Sequence, residues 1–215
     1  MGRGPWYRLL EVLLFAFPPV IGVGIVGVLR SYPDPLVGRA ILAIASVGGL
    51  AIRIGVPVCL FLDGRALRER GLWRPNYPLY ALGALLLSAP AVGLFYLYRR
   101  HDRVDRPPGW DGWWAVVAAS LGGSLSGIPV ALLAYVLALP PLVVAIPALL
   151  AGLALAVFPV GIYRDAIYLR AVADWRPNPA LYLALAFASL FVPLLQPPVA
   201  AYYLYRRQTT LPVRP

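Results

Sequence analysis

A run of 52 residues, 112–163, contains no charged side chain. A bilayer core takes roughly 20 apolar residues per helix, so the run can hold two spans, with Pro140 and Pro141 between them. Only 13% of the chain is charged and 60% is hydrophobic, against about 25% charged in soluble domains. A soluble chain of 215 residues could not bury that much apolar surface. The sequence therefore predicts an integral membrane protein.

The distribution of charge argues against several other classes of protein. All 19 basic residues are arginine, and the net charge is +10, but nearly every arginine lies at the edge of an apolar run. That placement is typical of membrane flanks rather than of a basic patch for nucleic acid. One cysteine, Cys59, and one histidine, His101, exclude a disulfide framework within the chain and a Cys/His metal site. We expect Cys59 to be an apolar filler, and His101 to be solvated beside Arg99 and Arg100.

The sequence also lacks the motifs that are typical of enzymes. An intramembrane enzyme would need a cluster of carboxylates, a Ser/His pair or an HExxH helix, and the sequence contains none of these. We expect no catalytic residues, no metal and no cofactor, and no nucleic acid among the partners. The chain is predicted not to be an enzyme.

The apolar residues form six segments with frequent proline at their ends or midpoints, a pattern typical of helices that turn or kink. Arg3 and Arg8 precede the first segment, which lacks a small-residue cleavage site and is read as a membrane helix rather than a signal peptide. Small residues at Gly123 and Gly127 predict a close helix approach. The fold class is an all-α integral membrane protein. Its segments are 12–29, 40–62, 78–98, 113–139, 142–163 and 179–205.

The two halves of the chain match each other. At an offset of 102, Trp73-Arg-Pro-Asn76 falls on Trp175-Arg-Pro-Asn178, and Asp63 falls on Asp165. At an offset of 107, the sequence Tyr-Leu-Tyr-Arg-Arg that ends at Arg100 falls on the one that ends at Arg207. The sequence predicts a tandem duplication of a three-segment helical unit. Its copies are a first membrane repeat at 1–106 and a second at 107–215, in one compact membrane domain.

The repeated phrase Trp-Arg-Pro-Asn has the chemistry of a turn at the membrane surface. Tryptophan prefers the headgroup level, and arginine pairs with lipid phosphate. Proline disfavours helix for the residue before it, and asparagine suits the N-cap of the next helix. The basic stretch before the phrase, where Arg65 and Glu69 are spaced i,i+4, is predicted to be a surface helix near anionic headgroups. The predicted headgroup and interface residues are Arg65, Arg68, Arg70, Trp73, Arg74, Tyr80, Arg170, Trp175, Arg176 and Tyr182.

Counting arginines distinguishes two topologies. If all six segments cross the membrane, nine of the flanking arginines lie on each side. If the third segment of each repeat enters the membrane and returns to the same side, sixteen arginines lie on one side and two on the other. Cytoplasmic loops carry excess arginine, so the second division favours re-entrant third segments. Central breaks at 88–90 and 193–198 are consistent with re-entry, although a Pro-kinked full span remains the alternative. We expect a plasma-membrane protein with both termini cytoplasmic.

Arg53 is the one charge deep in an apolar segment, and Glu11 is the only acid near the first segment. A charge inside a membrane is costly and often functional. Arg53 therefore either snorkels, pairs with Glu11, or serves a substrate. Its counterpart in the second half is Leu155, so the two copies would not share such a role.

The element Asp-x4-Arg-x4-Trp-Arg-Pro-Asn-x2-Leu-Tyr, followed by Tyr-Leu-Tyr-Arg-Arg, resembles multi-pass membrane proteins of halophilic archaea. The resemblance covers 57–100 and 159–207 and implies no activity. The sequence as a whole favours a structural, scaffold or accessory subunit of a membrane complex, surrounded by anionic lipids. The alternative is a small transporter or channel with a site at the repeat interface near Arg53.

Overall fold

A computed structural model describes residues 4–104 and 109–210, without the side chains at 141 and 142. Within these residues every regular element is a helix, so the predicted all-α class is confirmed. The chain divides into two compact units, Met1–Asp105 and Arg106–Pro215. Among the described residues, four helices, two in each unit, are long and apolar enough to cross a membrane.

The first unit contains helices α1 to α4. Their bounds are α1 Pro5–Arg30, α2 Pro35–Glu69, α3 Tyr77–Leu86 and α4 Ala89–Arg103. The long helices α1 and α2 pack along each other, and Leu10, Leu14, Val56 and Leu60 are completely buried in this unit. The apolar segment predicted at 78–98 forms two helices, because the chain leaves the helix at Leu87 and Ser88 caps the next one.

The second unit contains α5 to α8 in the same order of two long and two short helices. Their bounds are α5 Trp113–Val136, α6 Pro141–Val172, α7 Pro179–Phe191 and α8 Gln196–Thr210, with a 3-10 turn at Pro193–Leu195 before α8. Phe158, Ile162 and Leu169 of α6 are the centre of its core. Proline at 193 interrupts the last apolar segment, as the sequence predicts, since it has no N–H for the preceding helix.

Small residues allow the long helices of each unit to approach closely. A Cβ at Gly127 would lie 2.8 Å from the carbonyl oxygen of Pro147, and one at Gly123 would lie 2.9 Å from the Cβ of Ala154. Side chains at these two positions of α5 would therefore push α6 away. The predicted role of these glycines in close helix approach is confirmed.

The Trp-Arg-Pro-Asn phrase separates a long helix from a short one in both units. After α2, Gly71 adopts φ +68°, and the N–H groups of Gly71 and Leu72 donate to the carbonyls of Arg68 and Leu67. These two bonds form a Schellman motif, which satisfies carbonyls at the end of the helix. Asn76 and Asn178 then cap α3 and α7, accepting the backbone N–H of Leu79 at 3.4 Å and of Ala180 at 3.1 Å. The predicted N-caps are confirmed.

The short helices of the first unit lie antiparallel. The ring of Tyr80, one turn into α3, is 5.2 Å from the ring of Tyr96, which lies towards the end of α4. Gly83 faces Val92 nearer the break between the helices. The start of α3 and the end of α4 are therefore neighbours, and the pair forms a helical hairpin with its tip at Leu87 and Ser88.

Candidate functional site

A buried carboxylate holds the hairpin of the first unit against α2. Asp63 of α2 is 3% exposed, and Arg100 of α4 is 1% exposed. Arg100 Nε donates to Asp63 Oδ2 at 2.8 Å, and the hydroxyl of Tyr96 donates to the same oxygen at 2.8 Å. Tyr96 and Arg100 are four residues apart on one helix, so both donors point to the same place. This Asp–Arg–Tyr cluster joins residues 37 positions apart in the chain.

The second unit contains the same three residue types with the same contacts. Asp165 of α6 is completely buried, and it accepts the hydroxyl of Tyr203 at 2.9 Å and Arg207 Nε at 3.1 Å. Arg207 also donates through Nη2 to the backbone carbonyl of Asp111 at 3.4 Å. The corresponding polar residues of the two halves therefore have corresponding partners.

Each cluster satisfies charges that would otherwise be expensive to bury. A carboxylate removed from water is tolerated when an opposite charge and hydrogen-bond donors surround it. Tyr96 donates a second hydrogen bond to Asp63, as Tyr203 does to Asp165, so each carboxylate accepts from a phenol as well as from a guanidinium. Such an arrangement ties helices together.

Aromatic rings cover both clusters on the side of the Trp-Arg-Pro-Asn phrase. The ring of Trp73 lies 5.3 Å from that of Tyr96, and the ring of Trp175 lies 5.4 Å from that of Tyr203. Both tryptophans are half-buried. Beyond its expected interfacial role, each tryptophan therefore packs on the tyrosine that donates to the buried carboxylate.

A second aromatic ring lies below the arginine of each cluster. The guanidinium of Arg100 is 3.9 Å from the ring centre of Tyr7, and that of Arg207 is 5.5 Å from the ring of Trp114. The buried contact of Arg100 with Tyr7 is worth roughly 2 kcal/mol, whereas Trp114 is 43% exposed, so the contact of Arg207 is worth about 0.5–1 kcal/mol. In the first unit the network continues, because the hydroxyl of Tyr7 donates to the buried carboxylate of Glu11.

The structure corrects the prediction that His101 is a solvated flank. His101 is only 2% exposed, and its ring lies edge-on to that of Tyr7, with 6.4 Å between ring centres. The sequence pattern Arg-Arg-His resembles a solvated helix end, but α4 packs against α1 and α2 to its last turn, which buries one face of that end. Cys59 is completely buried, as predicted for an apolar filler.

Arg53 and Glu11 do not pair. Glu11 is bound by Tyr7 near the start of α1, whereas Arg53 is exposed on α2. Arg53 forms no ion pair with any residue in the described part of the chain. It borders a groove of about 350 Å³ at the tip of the hairpin, where Ser88 and Leu87 lie. All residues that line this groove belong to the first unit.

The predicted interface residues are placed as follows. Among the arginines predicted to lie at the interface, Arg170 is half-buried and the others are exposed. The ring of Tyr80 is also half-buried. Arg65 pairs with Glu69 at 2.8 Å, confirming the expected i,i+4 contact. Tyr182 is 8% exposed and packs on Tyr203, with 4.9 Å between ring centres, so little of its ring is left for lipid. The exposed arginines within this predicted set are Arg65, Arg68, Arg70, Arg74 and Arg176.

Sequence reasoning missed the two buried ion pairs, although it identified all their residues as repeated. The signal was the combination of an aspartate at the end of a long apolar segment and an arginine repeated at the end of the third segment in both halves. Charges repeated at such positions are candidates for mutual pairing.

No protein-family model, no curated protein and no solved structure matches this chain.

Proposed function

We propose that this chain is a non-catalytic scaffold or accessory subunit of a membrane complex. The observation that carries the proposal is that Asp63 and Asp165, the buried aspartates, are each held by an arginine and a tyrosine of the same unit. Charges arranged in this way fasten helices to one another. Large exposed apolar side chains, among them Ile44 and Leu50 on α2, offer the surface that lipid and neighbouring membrane proteins would cover.

The proposal includes a tandem duplication with re-entrant hairpins. The equal contacts of the two Asp–Arg–Tyr clusters support a duplication, since separate origins would not reproduce three matched partners. The antiparallel contacts between α3 and α4 support re-entry of the third segment of the first repeat. In the second repeat, the contact between Tyr182 of α7 and Tyr203 of α8 supports the same arrangement.

The proposed orientation in the plasma membrane has both termini and both Trp-Arg-Pro-Asn loops on the cytoplasmic side. It rests on the division of sixteen arginines against two. Arg100 and Arg207 are neutralised by their aspartates, yet without them the division is still fourteen against two. Exposed arginines such as Arg65, Arg68 and Arg70 would then face anionic headgroups, each contributing about 1 kcal/mol near such a surface.

The experiment that tests the scaffold role begins with the full chain extracted from its native membrane in a mild detergent. We expect a complex of defined stoichiometry by native electrophoresis and mass spectrometry. Deleting the gene for this chain should then lower the abundance of the co-isolated proteins, and re-expression of the chain should restore their abundance. A chain that migrates alone, and whose deletion leaves every membrane protein at its normal level, would contradict the scaffold role.

The groove beside Arg53 favours a second candidate, a small transporter for anionic solutes. Arg53 forms no ion pair in the described part of the chain and lies beside the tip of a broken helix pair. Charged residues within the membrane and discontinuous helices both mark substrate sites in transporters. Flux of anions through proteoliposomes that contain the purified chain distinguishes the candidates. A scaffold gives no flux above that of protein-free vesicles.

A further inference from the structure

A groove beside the hairpin of the first unit is lined by both positively charged and apolar side chains. Its volume is about 540 Å³, and it runs between α3 and α4 from the Trp-Arg-Pro-Asn phrase towards the hairpin tip. Arg74, Arg99 and Arg103 lie at one end, and Gly83, Leu87 and Val92 lie towards the other. The groove therefore has a charged mouth and an apolar floor.

The three arginines at the mouth are available to an anion. All three are exposed, and none forms an ion pair with a carboxylate in the ranges 4–104 and 109–210. Two of them are positioned by aromatic rings, because Arg99 lies 5.6 Å from the ring centre of Phe95 and Arg103 lies 5.9 Å from that of Trp73. Guanidinium groups bind phosphate oxygens in a planar, often bidentate geometry.

The length of the groove fits one acyl chain. Val92 and Arg103 are 11 positions apart, which corresponds to about 16 Å along a helix. Half of a bilayer core is about 15 Å thick. Leu79, Leu87 and Phe95 are exposed along this length, and Gly83 carries no side chain to fill the space. An amphiphile with an anionic phosphate head and a hydrocarbon tail matches both ends of the groove.

We propose that this groove is a specific binding site for a single anionic phospholipid. Its phosphate contacts Arg74, Arg99 and Arg103, and one acyl chain follows the hairpin towards Leu87. The site deepens the proposed association with anionic lipid and rests on the re-entrant hairpin. It differs from the headgroup contacts of Arg65, Arg68 and Arg70, since those arginines line no part of this groove.

The second unit has a related but weaker arrangement. Arg176 and Arg206 correspond to Arg74 and Arg99, and Arg206 lies 5.6 Å from the ring of Trp175. The position of Arg103 is occupied by Thr210. With one guanidinium fewer, the corresponding surface should hold an anionic lipid less tightly than the groove of the first unit.

Native mass spectrometry of the delipidated full chain, titrated with phosphatidylglycerol, tests the proposal. We expect one tightly bound lipid per chain, and a loss of about tenfold or more in apparent affinity when Arg74, Arg99 and Arg103 are all changed to Gln. The matched control changes Arg65, Arg68 and Arg70 to Gln, which removes the same charge outside the groove. This control should keep the tight lipid within about twofold, while losing weaker, salt-sensitive adducts.

A second variant tests the acyl-chain part of the groove without changing any charge. A Cβ at Gly83 would make only ordinary contact with Val92 at 3.9 Å, so Gly83→Leu should fold and should fill the groove. We expect Gly83→Leu to weaken phosphatidylglycerol binding about tenfold, with an unchanged melting temperature. Phosphatidylcholine with the same acyl chains should bind at least about tenfold more weakly than phosphatidylglycerol to the unchanged protein.

Three outcomes would overturn the proposal. The first is an equal loss of the tight lipid in both triple variants, which would mean that general surface charge, and not the groove, binds the lipid. The second is unaltered binding in Gly83→Leu. The third is equal competition by inorganic phosphate, which would make the mouth a site for a free anion. None of these measurements depends on co-isolated proteins, so the scaffold role can fail while the lipid site stands, and the reverse.

Discussion

Arg100 Nε lies 2.8 Å from Asp63 Oδ2, and both side chains are almost completely buried in the first unit. The pair joins the last turns of α4 to the end of α2, so it holds the hairpin in place. A hydrophobic pair of similar volume could pack as well, but a broken pair leaves one buried charge without compensation. The energetic consequence of removing one partner is therefore large.

Asp63→Asn should destabilise the protein by about 3–5 kcal/mol, since the buried guanidinium of Arg100 loses its counter-charge. Thermal unfolding in a fixed detergent measures the effect. Glu69→Gln is the matched control, because it breaks an ion pair whose side chains are 61% and 62% exposed, and such pairs are worth less than about 1 kcal/mol. Equal losses of stability in the two variants would show that Asp63 and Arg100 do not form a buried ion pair.

The tyrosines of the two clusters should behave alike. Tyr96→Phe and Tyr203→Phe each remove one hydrogen bond to a charged carboxylate, so each should cost about 1.5–3 kcal/mol in unfolding free energy. Tyr205→Phe provides the control, since Tyr205 lies on the same helix as Tyr203 but is 64% exposed. A cost confined to one unit would argue that the clusters are not equivalent.

Labelling of single cysteines tests the topology. In a Cys59→Ala background, Arg68→Cys and Arg103→Cys should react with a membrane-impermeant maleimide from the same side, because both ends of a re-entrant hairpin return there. Both positions are exposed, whereas the buried His101 would give no signal. Tyr32→Cys, at an exposed turn between α1 and α2, should react only from the opposite side. Reaction of positions 68 and 103 from opposite faces would restore six full spans.

Arg53→Leu separates the scaffold from the transporter. In a scaffold the variant should be equally or more stable, since a central arginine costs about 2.5–3.5 kcal/mol on insertion scales. In a transporter the variant should lose anion flux in proteoliposomes while its melting temperature is maintained. We expect the scaffold outcome. A loss of flux with an intact fold would contradict it.

Glu11→Gln is the companion to the Arg53 variant. Glu11 is bound by Tyr7 rather than by Arg53, so the effects of Glu11→Gln and Arg53→Leu on unfolding free energy should add within about 0.5 kcal/mol. A double-mutant cycle measures this additivity. A coupling well above that range would indicate that the two charges meet within the membrane.

Features that depend only on neighbours along the chain could be predicted from the residues. Long uncharged runs predicted helices able to span a membrane, and Asn76 and Asn178 predicted the starts of α3 and α7. Prolines marked the interruptions of both third segments. These features could be read directly, because a helix start, a cap and a proline break are decided within one or two turns of backbone.

Which polar side chains are buried together depends on how the helices pack. Asp63 and Arg100 lie 37 positions apart, and either could have been a solvated flank by its local sequence. His101 shows the same limit, because its burial depends on the packing of α4 against α1 and α2. The groove between α3 and α4 likewise requires the hairpin to fold back. Local sequence sets the helices, whereas pairing, burial and grooves arise from contacts between segments distant in the chain.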